Sequence, residues 1–213
     1  MPQDKPFAAA PDCFKELHRS VDRAGHNQNC LRNSRVELER TDCGRYFNTA
    51  PISQAASKYL LANYTTGLNA CGYAGEDSVE NYSGQLIMTV TAAAFETYCR
   101  LCGKKWHDVY QDIFRDDDGR DFRVFLNDQD LPADFFSKLI KANNDERLTD
   151  RIKRFIDQND EINFYAICVG FRNAFSHGRL GSLDGTFALA GKMREIVIRA
   201  IDRDCRKQAA LIQ

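Results

Sequence analysis

The run Phe171-Arg172-Asn173-Ala174-Phe175-Ser176-His177-Gly178 sets four polar side chains at the end of a stretch that is apolar from Phe164 to Phe171. A polar group buried without a partner costs about 1–3 kcal/mol, so these four are either paired or at work. At about 100° per residue, Arg172 and Ser176 share one i,i+4 row and Asn173 and His177 the adjacent row, which makes one polar patch. Arginine offers a permanently charged planar fork suited to phosphate, and histidine can take and return a proton near neutral pH. A base and a cation are the minimum for cutting a phosphodiester. In RNA the neighbouring 2′-hydroxyl supplies the nucleophile, so the reaction needs no metal.

The patch must be carried by a helix, because the glycines at 178 and 181 break a pattern that runs from about residue 160 to 177. An apolar surface on every side marks that helix as one surrounded by neighbours. Upstream, Pro51 suits a helix start, and Ile52, Ala55, Ala56, Tyr59, Leu60 and Asn63 follow at helical steps until Gly72 and Gly75. Asp77-Ser78-Val79-Glu80 has the form of a capping box. Behind it, Val79, Tyr82, Leu86, Val90, Ala94, Tyr98 and Leu101 form one stripe that ends at Gly103.

Residues 104–159 are more polar. They read as an insertion with a helix from Trp106 to Phe114, a solvated loop at Asp116-Asp117-Asp118-Gly119, a helix after Pro132 and another from Asp145 to Ile156. Leu189, Met193, Ile196, Val197, Ala200 and Ile201 make a last amphipathic helix. No stretch alternates with period two. The expected fold is therefore all-α, a helical bundle over 51–213 preceded by an irregular extension over 1–50. That extension is mildly basic through Arg19, Arg23, Arg32, Arg35, Arg40 and Arg45, and reads as a solvated wrap or as an arm that touches RNA.

Composition narrows the classes. Lys plus Arg number 29 against 30 Asp plus Glu, a net charge of −1 that excludes a globally basic nucleic-acid coat. The longest apolar stretch, Leu86–Phe95, falls short of the roughly 20 residues that cross a bilayer, so no membrane span is expected. The start Met1-Pro2-Gln3-Asp4-Lys5-Pro6 lacks the basic-then-apolar form of a secretory signal, so a cytoplasmic location with the eight cysteines reduced is expected. Cys99 and Cys102 lie in the strongest helix without a second such pair, and no other histidine or cysteine spacing suits a metal, so no metal or cofactor is expected. The acidic loop fails as a calcium site, since Phe114 and Phe125 fall where carboxylates are required. His18 and His26 read as surface residues, and the glycosylation patterns at Asn63 and Asn81 as incidental.

Arg172, four intervening residues and His177, with Asn173 directly after the arginine, resemble the Arg-x-x-x-x-His motif of HEPN (higher eukaryote and prokaryote nucleotide-binding) ribonucleases. The upstream helix around Phe95-Glu96-Thr97-Tyr98 is similar to that family's acidic helix. The resemblance implies a four- or five-helix bundle over roughly 51–213, with His177 as acid/base, Arg172 as phosphate clamp, Asn173 as an orienting group and Glu96 pairing with Arg172 or His177. Ser176 and Arg179 would extend the RNA-binding cleft. Arg172 and His177 stand about 140° apart around a helix, so one copy converges poorly on one phosphate. A homodimer with a composite cleft answers that, as the family implies.

The implied activity is a metal-independent endoribonuclease, with a toxin or phage-defence role and an antitoxin or regulatory partner. Two other readings stay open. The bundle could bind RNA or protein without cutting, or Arg172 could simply pair with Glu96 while His177 and Gly178 end the helix.

Overall fold

The computed structural model describes residues 10–25, 27–41, 43–67 and 76–212. Among them the regular elements are helical, with an isolated bridge between Arg40 and Phe47. The helices are α1 (Asp12–Ala24), α2 (Ala50–Tyr64), α3 (Glu76–Leu101), α4 (Trp106–Ile113), α5 (Asp116–Asn127), α6 (Phe135–Lys141), α7 (Glu146–Gln158), α8 (Tyr165–Ser176) and α9 (Thr186–Leu211). Short 3-10 turns cover Gln28–Leu31 and Glu161–Phe164. The protein is all-α. Among the described residues no helix is long and apolar enough to cross a membrane. The expected stop at Gly72 and Gly75, together with Met1–Pro6, His26 and Cys71, lies outside the described residues.

The chain divides into two compact units. The first comprises residues 1–61, 93–113 and 198–213, and the second comprises 62–92 and 114–197. Residues 104–159, expected as one insertion, are shared out between them at residue 113.

In the first unit, α1 corrects the expectation of an irregular segment before residue 50. Cys13, Phe14, Leu17 and Val21 recur at helical spacing and are buried, which gives the helix an apolar face despite its polar composition. Phe14 packs edge-on against Tyr59, with ring centroids 5.5 Å apart, and near Tyr98 at 6.2 Å. The connection that follows is tied down by polar groups. The Arg35 guanidinium pairs with the buried Asp204, and the Tyr98 phenol donates to the same carboxylate at 2.9 Å. Gln208 accepts from the Arg35 amide at 2.6 Å and from the Ser34 hydroxyl at 3.2 Å, and the Glu37 amide reaches the Leu101 carbonyl at 2.9 Å. Each bond made by a buried group avoids the penalty of an unsatisfied one, so a basic segment that looked like a wrap is built into the unit.

In the second unit the buried α8 has aromatic surroundings. Phe164, at its entrance, lies 4.9 Å from Phe114 and 5.9 Å from Phe122, and Phe171 lies 5.8 Å from Phe135. Every residue from Phe164 to Phe171 is buried, as its all-round apolar character requires. Asn143 is also buried and donates to the Leu139 carbonyl at 2.8 Å and to Gly170 at 3.2 Å, which links α6 to α8.

The acidic stretch at 116–119 is not a loop. It forms the first turn of α5, where three aspartates suit the positive end of the helix dipole and the Arg115 amide donates to Asp118 at 2.9 Å. Gly119 is required there because a Cβ would lie 2.1 Å from the Glu161 carbonyl oxygen. By contrast α7 starts as its sequence indicates, with Asp145 accepting from the amides of Arg147 and Leu148 at 3.0 and 3.2 Å.

The stripe of α3 is also corrected in part. Ala94, Tyr98 and Leu101 are buried as expected, but Val79, Tyr82, Leu86 and Val90 are only half-buried. Asn81, Ser83, Gln85, Ile87, Met88 and Thr91 are the residues turned inward. The helix begins at Glu76, one residue ahead of the expected cap at Asp77, whose side chain is not among those described.

Candidate active site

The motif residues occupy the last turn of α8 and the first residues beyond it, all within the second unit. Arg172 and Asn173 are half-buried, whereas Ser176, His177, Gly178 and Arg179 are exposed. The buried run therefore reaches solvent at Ser176, one turn after its polar residues begin.

The helix end has a defined geometry. The amide of His177 donates to the Asn173 carbonyl at 3.2 Å, that of Gly178 to Phe175 at 3.0 Å and that of Arg179 to Ala174 at 2.9 Å. With Gly178 at φ 60°, the last two bonds form a Schellman motif, with His177 as the C-cap. This fixes the backbone from which the imidazole and the Arg179 side chain project. A helix C-terminus carries the negative end of the dipole, so the backbone here offers nothing to an anion.

Glu96 is half-buried on the part of α3 that belongs to the first unit.

No protein-family model, curated protein or solved structure matches the chain.

The loop after the motif is held by side chains that the motif itself does not include. Asn81 Nδ2 donates to Asp184 Oδ1 at 3.0 Å and to Ser182 Oγ at 3.3 Å, and Gln85 Nε2 donates to the Gly181 carbonyl at 2.7 Å. Both amides stand one helical turn apart on the buried side of α3. Two amides at an i,i+4 spacing beside an apolar run were the available signal.

In the first unit an open groove of about 560 Å³ is lined by Gln28, Arg32, Ser34, Glu37, Glu39 and Arg100 over a floor of Leu31, Val36 and Leu38. It carries charges of both signs and none of the motif residues. The thiols of Cys99 and Cys102 are buried, and burial, followed by the Asp204 carboxylate, pushes Cys102 up to about 12. Such thiols are poor nucleophiles and poor ligands at neutral pH. Among the described residues no group of three or more His, Cys, Asp or Glu is placed to hold a metal.

Proposed function

We propose that the chain is a metal-independent, HEPN-like endoribonuclease that acts in the cytoplasm as a homodimer, with a toxin or phage-defence role restrained by an antitoxin or regulator. The observation that supports this reading is the exposure of Ser176, His177 and Arg179 at the end of a helix that is otherwise buried, with Arg172 and Asn173 half-buried behind them. The imidazole of His177 removes the 2′-hydroxyl proton as the oxygen attacks phosphorus. Arg172 neutralises the charge that develops on the phosphorane, and the partner subunit's imidazole returns a proton to the departing 5′-oxygen. The products are a 2′,3′-cyclic phosphate and a 5′-hydroxyl.

Purified protein incubated with single-stranded RNA in EDTA is expected to yield those ends, and His177→Ala is expected to abolish cleavage with helicity unchanged. Cleavage that requires a divalent metal, or equal activity in the variant, overturns the mechanism.

One observation favours a second reading. The Schellman motif gives His177 and Gly178 a structural role that needs no chemistry. A bundle that binds RNA or protein without cutting is indicated if neither the wild type nor His177→Ala cleaves, while Gly178→Ala, which strains the helix end, lowers the melting temperature.

A further inference from the structure

The connection from Gly178 to Gly185 carries the exposed end of the motif, and it is restrained along its length. At its start the Arg179 amide closes the helix end. At its far end the side chain of Leu183 is buried, and its carbonyl accepts from both the amide and the hydroxyl of the buried Thr186, at 3.2 and 2.5 Å. Its middle is held by α3 alone among these contacts, through Gln85 to the Gly181 backbone and Asn81 to Ser182 and Asp184. Gln85 is fully buried and Asn81 is 6 % exposed, so the donors sit on the buried side and the acceptors on the exposed side of each bond. A buried N–H donor is costly unless it is bonded, which gives the bonds made by Asn81 Nδ2 and Gln85 Nε2 a strong bias towards being made, although Gln85 Oε1 is itself buried without a partner.

We propose that Asn81 and Gln85 are positioning residues for the ribonuclease reaction, which clamp the 179–184 connection to α3 and thereby hold His177 and Arg179 in the geometry that cleavage requires. This rests on the ribonuclease reading of the same site. Neither residue touches substrate. They act by removing the freedom of the backbone that follows His177, and misplacing a reacting group by about 1 Å can cost on the order of a hundredfold in rate.

The test combines cleavage kinetics with backbone hydrogen exchange on the full chain. Asn81→Asp sets a second carboxylate where an amide now meets Asp184. It is expected to lower kcat at least about tenfold with KM within about twofold, while exchange across 179–185 accelerates and the interior of α8 stays protected. Adding Asp184→Asn restores a donor facing an acceptor with the polarity reversed, and is expected to recover most of the lost kcat. Gln85→Leu, which removes the Nε2 donor to Gly181, is expected to repeat the kinetic effect. Asp184→Ala does so from the exposed side, without disturbing the core.

Unchanged exchange in all variants overturns the clamp. Faster exchange with unaltered kcat, or no recovery in the Asn81→Asp, Asp184→Asn pair, overturns the positioning role. If the wild type cleaves, His177→Ala does not, and Asn81→Asp cleaves normally, the ribonuclease reading stands and this inference falls. If the wild type cleaves nothing, the ribonuclease reading and the positioning role both fall, and exchange alone still decides whether the clamp exists.

Discussion

The phenol of Tyr98 donates a 2.9 Å hydrogen bond to Asp204, 106 residues further along the chain, and both groups are buried in the first unit. Burial, followed by the charge of Asp204, holds the Tyr98 phenol well above its ordinary pKa, so it remains a donor at any pH the protein meets. Arg35 and Gln208 supply the other donors to the same carboxylate. Tyr98→Phe removes one of them and keeps the ring. The expected cost is about 1–3 kcal/mol, read as a lower urea midpoint with an unchanged m-value. A change below about 0.5 kcal/mol would show that the carboxylate is satisfied without the phenol.

Gly178 gives a second, local test. Its φ of 60° is left-handed, and a Cβ added there would meet nothing within 4 Å. Gly178→Ala should therefore carry a pure backbone penalty, about 1 kcal/mol after the smaller unfolded-state entropy of alanine is counted, or roughly 2–4 °C in Tm for a chain of this length. Gly178→Asn should cost less, because asparagine tolerates this conformation. The order Gly, Asn, Ala in thermal stability is the observation to check, and Ala equal to Gly would remove the Schellman geometry.

Alkaline pH should destabilise the first unit for a reason of defined sign. Cys102 is pushed up to about 12, and burial raises Cys99 further. Below about pH 8.5 both thiols are protonated whether the chain is folded or not, and their contribution is fully present. Above that value the unfolded chain sheds protons that the folded one keeps, so stability falls by about 1.4 kcal/mol per pH unit for each thiol until its folded pKa is reached. Urea midpoints between pH 8 and 10.5 would show the slope, and Cys102→Ala should make it shallower. At neutral pH iodoacetamide should modify the exposed Cys43 and spare Cys99 and Cys102.

Arg172 separates charge from geometry. If its planar fork holds a phosphate through two parallel bonds, Arg172→Lys keeps the charge, loses the fork and should lower kcat/KM by roughly ten- to a hundredfold. Full activity in Arg172→Lys would reduce the guanidinium to a point charge. Light scattering on the same preparations is expected to give twice the chain mass, and a monomer at working concentration would remove the composite cleft.

Some elements were legible in the chain because their signal is local. The run Phe164–Phe171 has no polar face to expose, and it is buried on every side. The aspartate ahead of α7 accepts from amides two and three residues away, a bond that needs nothing distant. The end of α8 at a glycine is local in the same sense. Helix α1 was missed although its apolar residues keep the helical period, since polar composition around them hid a narrow stripe. In α5, three aspartates and a glycine resemble a loop until the Glu161 backbone approaches Gly119 and the acids find the helix dipole.

What the sequence determined by itself is the all-helical class, the place of α8 and the polar group Arg172–His177 at its end, because periodicity and helix-ending chemistry act over a few residues. Which face of α3 turns inward was decided only by tertiary structure. Asn81 and Gln85 would have belonged outside by polarity. Gly181, Ser182 and Asp184, about a hundred residues along the chain, bring the acceptors for the buried N–H groups of these two amides.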